Sequence, residues 1–171
     1  MTMSRRDDRS TAADTLAAGP GGRLLGVDLG SRRIGVAVAD QVTGSVRALA
    51  TLRRHEHEAE RAALARLVAE HGVTELIVGL PLHMDGREGG QATEARRWAE
   101  QMATALDLTL TMRDERLSSV AAEGRMPRLR RASSGAPPSG ERRDKHRARI
   151  DREAAAGILQ AELDARAGLR S

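Results

Sequence analysis

The chain has 171 residues, no cysteine, and 28 Lys+Arg against 24 Asp+Glu, which gives a formal charge of +4. This length suits a single hydrophobic core, and a content of 40% hydrophobic and 30% charged residues argues against a disordered or fibrous chain. Without cysteine, disulfides, thiolate nucleophiles and thiolate metal sites are excluded.

Residues 1–22 show no feature of a membrane or secretion signal. They mix charged residues with Ser, Thr, Ala and Gly without a sustained period, so we expect a flexible tail. The first twenty residues lack the apolar centre of a signal peptide, and no run of ~18 apolar residues follows. We therefore expect a cytoplasmic protein that does not enter a membrane.

Apolar periodicity predicts the order of the secondary structure elements. Alternation with a period of two indicates strands, and apolar residues three or four apart indicate helices. In chain order these are strands at 24–27, 34–38 and 46–52, a helix that Gly72 ends, a strand at 76–78, a helix at 92–106, a strand at 108–112 and a helix from Ile150. This order predicts an α/β domain over residues 23–166, with a mixed central sheet flanked by helices, and a C-terminal tail at 167–171.

A basic segment over about residues 125–149 interrupts this order. From Gly124 to Arg149 there are nine basic and two acidic residues, and the Ala, Ser, Gly and Pro of 132–140 cannot bury much surface. We expect a mobile linker whose arginines bind phosphates, although a solvated charged loop would have the same composition. The predicted nucleic-acid contacts are Arg32, Arg33, Arg142, Arg143, Arg147 and Arg149.

Three acidic residues stand where strands end or where a helix packs on the sheet. Asp28 follows an apolar strand and Glu115 follows the strand at 108–112; each could also be a turn or helix-start residue, with Glu115 paired to an arginine. Asp151 shares one helical face with the apolar residues that should pack on the sheet. An unpaired carboxylate there is costly, so Asp151 is either the N-cap of its helix or is compensated by a cation or an arginine.

The chemistry of these acids suggests a hypothesis for function. Three converging carboxylates repel one another unless divalent cations neutralise them, and oxygen ligands without cysteine favour Mg²⁺ or Mn²⁺. Two such ions can activate water and stabilise the leaving oxygen of a phosphodiester. The sequence therefore predicts a metal-dependent nuclease in which Asp28, Glu115 and Asp151 are both catalytic residues and metal ligands.

Four ordered motifs resemble the YqgF/RuvX family of RNase H-like proteins, described as Holliday-junction-resolvase-like or pre-16S rRNA nucleases. The resemblance spans residues 24 to about 163, and its motifs are LGVDLGSRRIGVA at 25–37, VGLPLHMDG at 78–86, DERLSS at 114–119 and IDREAAAGILQ at 150–160. It implies an RNase H-like fold and an acidic, metal-binding set of Asp28, Glu115 and Asp151. It also implies that 5′-end processing of pre-16S rRNA ranks ahead of cleavage of branched DNA. A symmetric homodimer would suit branched DNA, although no apolar stripe identifies an interface.

The sequence departs from the family pattern at two places. His83 stands where the family often has Asn, which puts a polar role at that loop position in doubt. The basic linker before Asp151 is longer than usual and carries a Pro-Ser-Gly insert, which leaves the path to the last helix open.

Two other functions stay open. Asp-Leu-Gly-Ser after a strand also resembles the first phosphate loop of actin-like ATPases and sugar kinases, but a second phosphate loop is not found and 171 residues leave little room for two lobes. A non-catalytic RNA-binding assembly factor would use the linker arginines equally well. His55 and His57 have a spacing that could bind a metal, but with Glu56, Glu58 and Glu60 they read as the exposed start of a helix, and Trp98 reads as a partly buried anchor.

Overall fold

The computed structural model describes residues 21–117 and 140–169. The predicted N-terminal tail up to residue 20 and the part of the predicted linker before residue 140 lie outside the described residues. The elements are β1 (Arg23–Leu29), β2 (Arg33–Asp40), β3 (Val46–Arg53), α1 (His57–His71), β4 (Val73–Leu80), α2 (Gly90–Leu106), β5 (Thr109–Asp114), a 3-10 turn (Glu115–Leu117) and α3 (Gly140–Gly168).

The five strands form one mixed sheet in the order β3-β2-β1-β4-β5. The first three strands are antiparallel neighbours, whereas β4 runs parallel to β1 and β5 parallel to β4. The C-terminal ends of the parallel strands β1, β4 and β5 therefore lie at the same edge of the sheet. This is the mixed α/β architecture that the order of elements predicts.

Side-chain alternation divides the core into two layers. Leu25 and Val27 of β1 pack with Leu64 of α1 and Met102 of α2 on one face of the sheet. On the other face, Leu24 packs with residues of α3, and alternation places Asp28 on that same face. Helices α1 and α2 thus cover one side of the sheet and α3 covers the other.

Helix α3 crosses the sheet from β3 to β5 and lies very close to β2. The hydroxyl of Thr51 on β3 donates to the carbonyl of Ala148, and Arg113 on β5 pairs with Glu162. A Cβ added at Gly35 would overlap the carbonyl oxygen of Asp151. Only glycine at position 35 permits this approach of helix to strand.

The predicted start of the last helix was wrong. α3 begins at Gly140 rather than at Ile150, so residues 140–149, assigned above to a mobile linker, are helical, and the helix also continues to Gly168. Arg, Lys, Glu and Ala are good helix formers, and Lys145 pairs with Glu141 one turn earlier. Asp151 therefore lies about three turns inside the helix, which excludes the N-cap alternative.

Glu60 also differs from its prediction. It is 3% exposed rather than part of an exposed helix start, because its carboxylate accepts hydrogen bonds from Trp98 Nε1 at 2.8 Å and Arg54 Nε at 2.9 Å. Trp98, expected to be partly buried, is buried. Across the described parts of the chain, no helix combines the length and hydrophobicity needed to span a membrane.

Candidate active site

Asp28 lies near the end of β1, on the face that α3 covers. In the register of β1 with β2 it is paired with Gly35, the residue against which the backbone of Asp151 packs. The turn after Asp28 is closed by a hydrogen bond from Gly30 N to the carbonyl of Arg33 at 2.9 Å. The local sequence thus places a carboxylate beside the close crossing of β2 and α3.

Glu115 reaches the same place from the end of β5, where it begins the 3-10 turn. A Cβ added at Gly79 would overlap its carboxylate and would lie 2.7 Å from Ile158 Cδ1 of α3. Because Val78 pairs with Val27 in the parallel register, Gly79 follows beside Asp28. The glycine at position 79 therefore leaves the space in which the Glu115 carboxylate lies.

Asp28 and Glu115 are hydrogen-bonded to each other through their side chains. Burial raises the pKa of Asp28 to about 6, and the nearby charge of Asp151 adds to this increase, while the hydrogen bond with Glu115 opposes it. Burial also raises the pKa of Glu115 to about 7, and the charge and hydrogen bond of Asp28 raise it further. Burial and mutual repulsion therefore favour a state in which the pair keeps a proton, and one carboxyl group donates it to the other in this hydrogen bond.

Asp151 lies about three turns into α3 and is paired with an arginine. Arg33 Nε donates to Asp151 Oδ2 at 2.7 Å, and each of the two side chains is 26% exposed. Of the compensations that the sequence left open for Asp151, the structure shows the arginine. Asp28, Glu115 and Asp151, which are far apart in the sequence, thus come together at one edge of the sheet.

The donor set suits a hard divalent cation, since it consists of carboxylate oxygens alone. Asp28 and Glu115 are buried beside each other, which raises the pKa of both groups, and a bound cation would stabilise their charged forms. Within residues 21–117 and 140–169, the side chains as they stand form no cluster of three metal-ligating groups. The carboxylate of Asp151 contacts the guanidinium of Arg33 in this arrangement.

The predicted nucleic-acid contacts lie in two places. Arg32 is exposed in the turn after Asp28, whereas Arg33 is engaged by Asp151. The other four are exposed on the first three turns of α3: Arg142, Arg143, Arg147 and Arg149.

These four arginines of α3 fall on two flanks of the helix. Arg143 and Arg147 precede Asp151 by eight and four residues and so share its flank. The 100° turn per residue places Arg142 and Arg149 on the opposite flank.

The roles of two arginines near the site were not predicted from the sequence. Arg54 donates from Nε to Glu60 and from Nη1 to the carbonyl of Gly30 at 3.1 Å, so it ties the turn after Asp28 to the core. Arg116 pairs with Asp114 at 2.6 Å, and it also donates to the carbonyl of Met84 at 3.2 Å. The sequence placed Arg116 beside acidic residues but gave no sign of its contact with Met84, because that residue is remote along the chain.

Three histidines that the sequence left without a clear role lie on loops or beside a helix start. His83 packs its ring against Gly89, where a Cβ would overlap Nε2. His55 and His57 are exposed beside the start of α1.

Similar proteins cover most of the chain. A protein of Anaeromyxobacter dehalogenans named "Putative pre-16S rRNA nuclease" is 46% identical over 145 residues, which are 85% of this chain and 98% of that protein. Proteins with the same name from Myxococcus xanthus and Chloroflexus aggregans are each 43% identical over 143 residues, covering 84% of this chain and 88% and 94% of those proteins.

The fold is shared with a solved nuclease structure. Thermus thermophilus RuvC in complex with a Holliday junction substrate superposes with a TM-score of 0.50 at 12% identity, covering 86% of this chain and 96% of that chain. At this identity the likeness establishes the RNase H-like fold. Residues 22–165 match the family described as "RuvX: Holliday junction resolvase", and the chain belongs to that family.

Proposed function

We propose that this protein is a metal-dependent nuclease that hydrolyses phosphodiester bonds at the 5′ end of pre-16S rRNA during ribosome biogenesis. The observation that carries the proposal is the meeting of Asp28, Glu115 and Asp151 at one edge of the sheet, with Asp28 hydrogen-bonded to Glu115. Nearly full-length relatives at 43–46% identity, named for this substrate, support the choice of RNA. Action on pre-rRNA would place the protein in the cytoplasm.

The three acids have distinct environments and therefore distinct roles in the proposal. Bound Mg²⁺ or Mn²⁺ would activate a water molecule and stabilise the leaving oxygen. Asp28 and Asp151 would hold the cation, since both are carboxylates beside the β2–α3 crossing. Glu115 would complete the metal-binding set, since burial and the charge of Asp28 raise its pKa to about 7 in the metal-free protein and a cation would relieve that repulsion.

The exposed arginines supply the complementary surface for the substrate. Arg143 and Arg147 lie on the flank of α3 that leads to Asp151, and Arg32 lies in the turn after Asp28. Guanidinium groups bind phosphates in forked geometry, and each contact releases counterions from the nucleic acid. Binding should therefore depend steeply on salt concentration.

Branched DNA is the second candidate substrate. The description of the matched family favours it. A four-way junction has two equivalent strands to cut, so this activity would call for a symmetric homodimer. A dimer in solution with paired cuts in a junction would support this candidate.

Cleavage assays with matched variants test the proposal. The wild-type protein should cleave a pre-16S 5′ fragment in Mg²⁺ or Mn²⁺ and not in chelator, and Asp28→Asn should abolish cleavage. The control is Asp40→Asn, another aspartate at a strand end, which accepts turn hydrogen bonds from Val42 and Thr43 and lies outside the site. Binding of the RNA without metal-dependent cleavage would contradict the proposal and favour a non-catalytic assembly factor.

A further inference from the structure

The ion pair between Arg33 and Asp151 occupies one of the three carboxylates of the proposed metal site. Arg33 Nε and Asp151 Oδ2 are 2.7 Å apart, and both side chains are half-buried. A charge-assisted hydrogen bond of this length is stronger than a neutral one. While this pair is formed, the lone pair of Asp151 Oδ2 that accepts from Arg33 Nε is not available to a metal ion, and the guanidinium charge beside it opposes the approach of a second cation.

Arg33 is well placed to stay near the site while it changes partner. Its backbone is fixed, because its carbonyl accepts from Gly30 N and because it pairs with Arg53 in the β2–β3 register. The long side chain is not fixed in the same way, since its rotamers can carry the guanidinium over several ångströms. The backbone of Asp151 is also constrained, because its carbonyl oxygen packs against Gly35.

We propose that Arg33 is the internal counterion of Asp151 and that it exchanges with the divalent cation of the proposed metal site. In the metal-free protein the guanidinium offsets the charge of Asp151 beside Asp28, and it leaves this carboxylate when the cation binds. The inference rests on the proposed function, because it needs Asp151 to be a metal ligand. Arg33 is then a positioning residue that keeps the acidic site folded before metal arrives.

Mn²⁺ binding to the full-length chain, measured by calorimetry, tests the exchange. Arg33→Gln should bind Mn²⁺ about fivefold to tenfold more tightly than wild type, because a half-buried ion pair no longer has to be broken. Arg53→Gln removes the same charge from the neighbouring position on β3 and measures the general effect of charge. Arg33→Lys should restore the wild-type affinity. Equal affinities of Arg33→Gln and Arg53→Gln would overturn the exchange.

A second measurement uses the unmodified protein and does not depend on the folding of a variant. The Nε–H resonance of Arg33, identified by its absence in Arg33→Lys, should move as Mg²⁺ saturates the protein. A resonance that stays in place at saturation would also overturn the exchange.

Mn²⁺ binding to Asp151→Asn distinguishes a failure of the proposed metal site from a failure of the exchange alone. If it binds Mn²⁺ as tightly as wild type, Asp151 is not a ligand, and the proposed metal site and the exchange both fail. If it weakens Mn²⁺ binding while Arg33→Gln matches Arg53→Gln, the exchange alone fails.

Discussion

Asp28 lies directly opposite Gly35 in the antiparallel pair of β1 and β2, and the carbonyl oxygen of Asp151 occupies the space that a side chain at position 35 would need. One residue without a side chain thus sets the separation between two acids that are far apart in the sequence. The same crossing joins the fold to the proposed chemistry, since any displacement of α3 here also displaces Asp151.

Gly35→Ala should damage both stability and activity. The new methyl group must push α3 away from β2, because it meets backbone rather than a flexible side chain. Overpacking of this kind costs about 1–3 kcal/mol, and the Asp151 carboxylate should move away from Asp28. Thermal melts and cleavage assays on the same preparation check this expectation.

Gly90→Ala is the matched control for that variant. Gly90 is the first residue of α2, and a Cβ added there meets nothing within 4 Å. The change should leave cleavage intact and should be neutral or slightly stabilising, by up to about 1 kcal/mol. If Gly35→Ala behaved like Gly90→Ala, the close crossing would not position the site.

The pH dependence of stability should reveal the Asp28–Glu115 pair. Burial raises both pKa values, to about 6 for Asp28 and about 7 for Glu115 from ordinary values of 3.8 and 4.5. Between about pH 4 and 7 the folded protein therefore binds more protons than the unfolded chain. The contribution of these groups to the free energy of unfolding falls as pH rises through this window.

Asp28→Asn should remove much of this pH dependence. Between pH 4.5 and 7.5 in chelator, the wild type should lose on the order of 1–2 kcal/mol relative to the variant. Effects of titrating groups away from this pair are common to both proteins and cancel in the difference. Mg²⁺ at pH 7.5 should restore stability to the wild type and not to Asp28→Asn. Parallel denaturation curves at all pH values would show that the two acids do not interact.

The two flanks of α3 predict different effects of the same charge change. The double variant of Arg143→Gln and Arg147→Gln should lower the salt dependence of RNA binding, with a slope change on the order of 1.5 for two lost phosphate contacts. The matched double variant of Arg142→Gln and Arg149→Gln on the opposite flank should change it less. Fluorescence anisotropy over a salt series makes the comparison. Equal slopes in the two variants would indicate general attraction without a defined path to Asp151.

Periodicity and position predicted much of the site but not how its parts are connected. Asp28 could be found because it stands at the end of an apolar strand, and Asp151 because a carboxylate on an apolar helix face needs a partner. The start of α3 at Gly140 was missed because the charge and Pro-Gly content nearby outweighed the helix propensity of residues 141–149. Burial of Glu60 depends on Trp98, 38 residues away, and no local pattern records such a pairing.

Because Glu60 is buried, loss of Arg54 should lower the free energy of unfolding far more than loss of Arg61. Arg54→Ala would leave the carboxylate of Glu60, which is 3% exposed, without its ion-pair partner, and breaking such a pair costs about 3–5 kcal/mol. It would also remove the hydrogen bond to the carbonyl of Gly30 that holds the turn after Asp28. We expect a large fall in the free energy of unfolding and weaker cleavage by the protein that remains folded.

Arg61→Ala removes an arginine of α1, the helix that carries Glu60, at a partly exposed position where it pairs with Glu58 one turn earlier. Ion pairs screened by solvent contribute little to stability, so this variant should melt close to the wild type and cleave normally. Urea denaturation of both variants gives the comparison directly, and a double variant of Arg54→Ala with Glu60→Gln should recover part of the lost stability because the buried charge is gone. Equal stability of Arg54→Ala and Arg61→Ala would show that Glu60 is satisfied by Trp98 and the backbone N–H of His55 without the guanidinium.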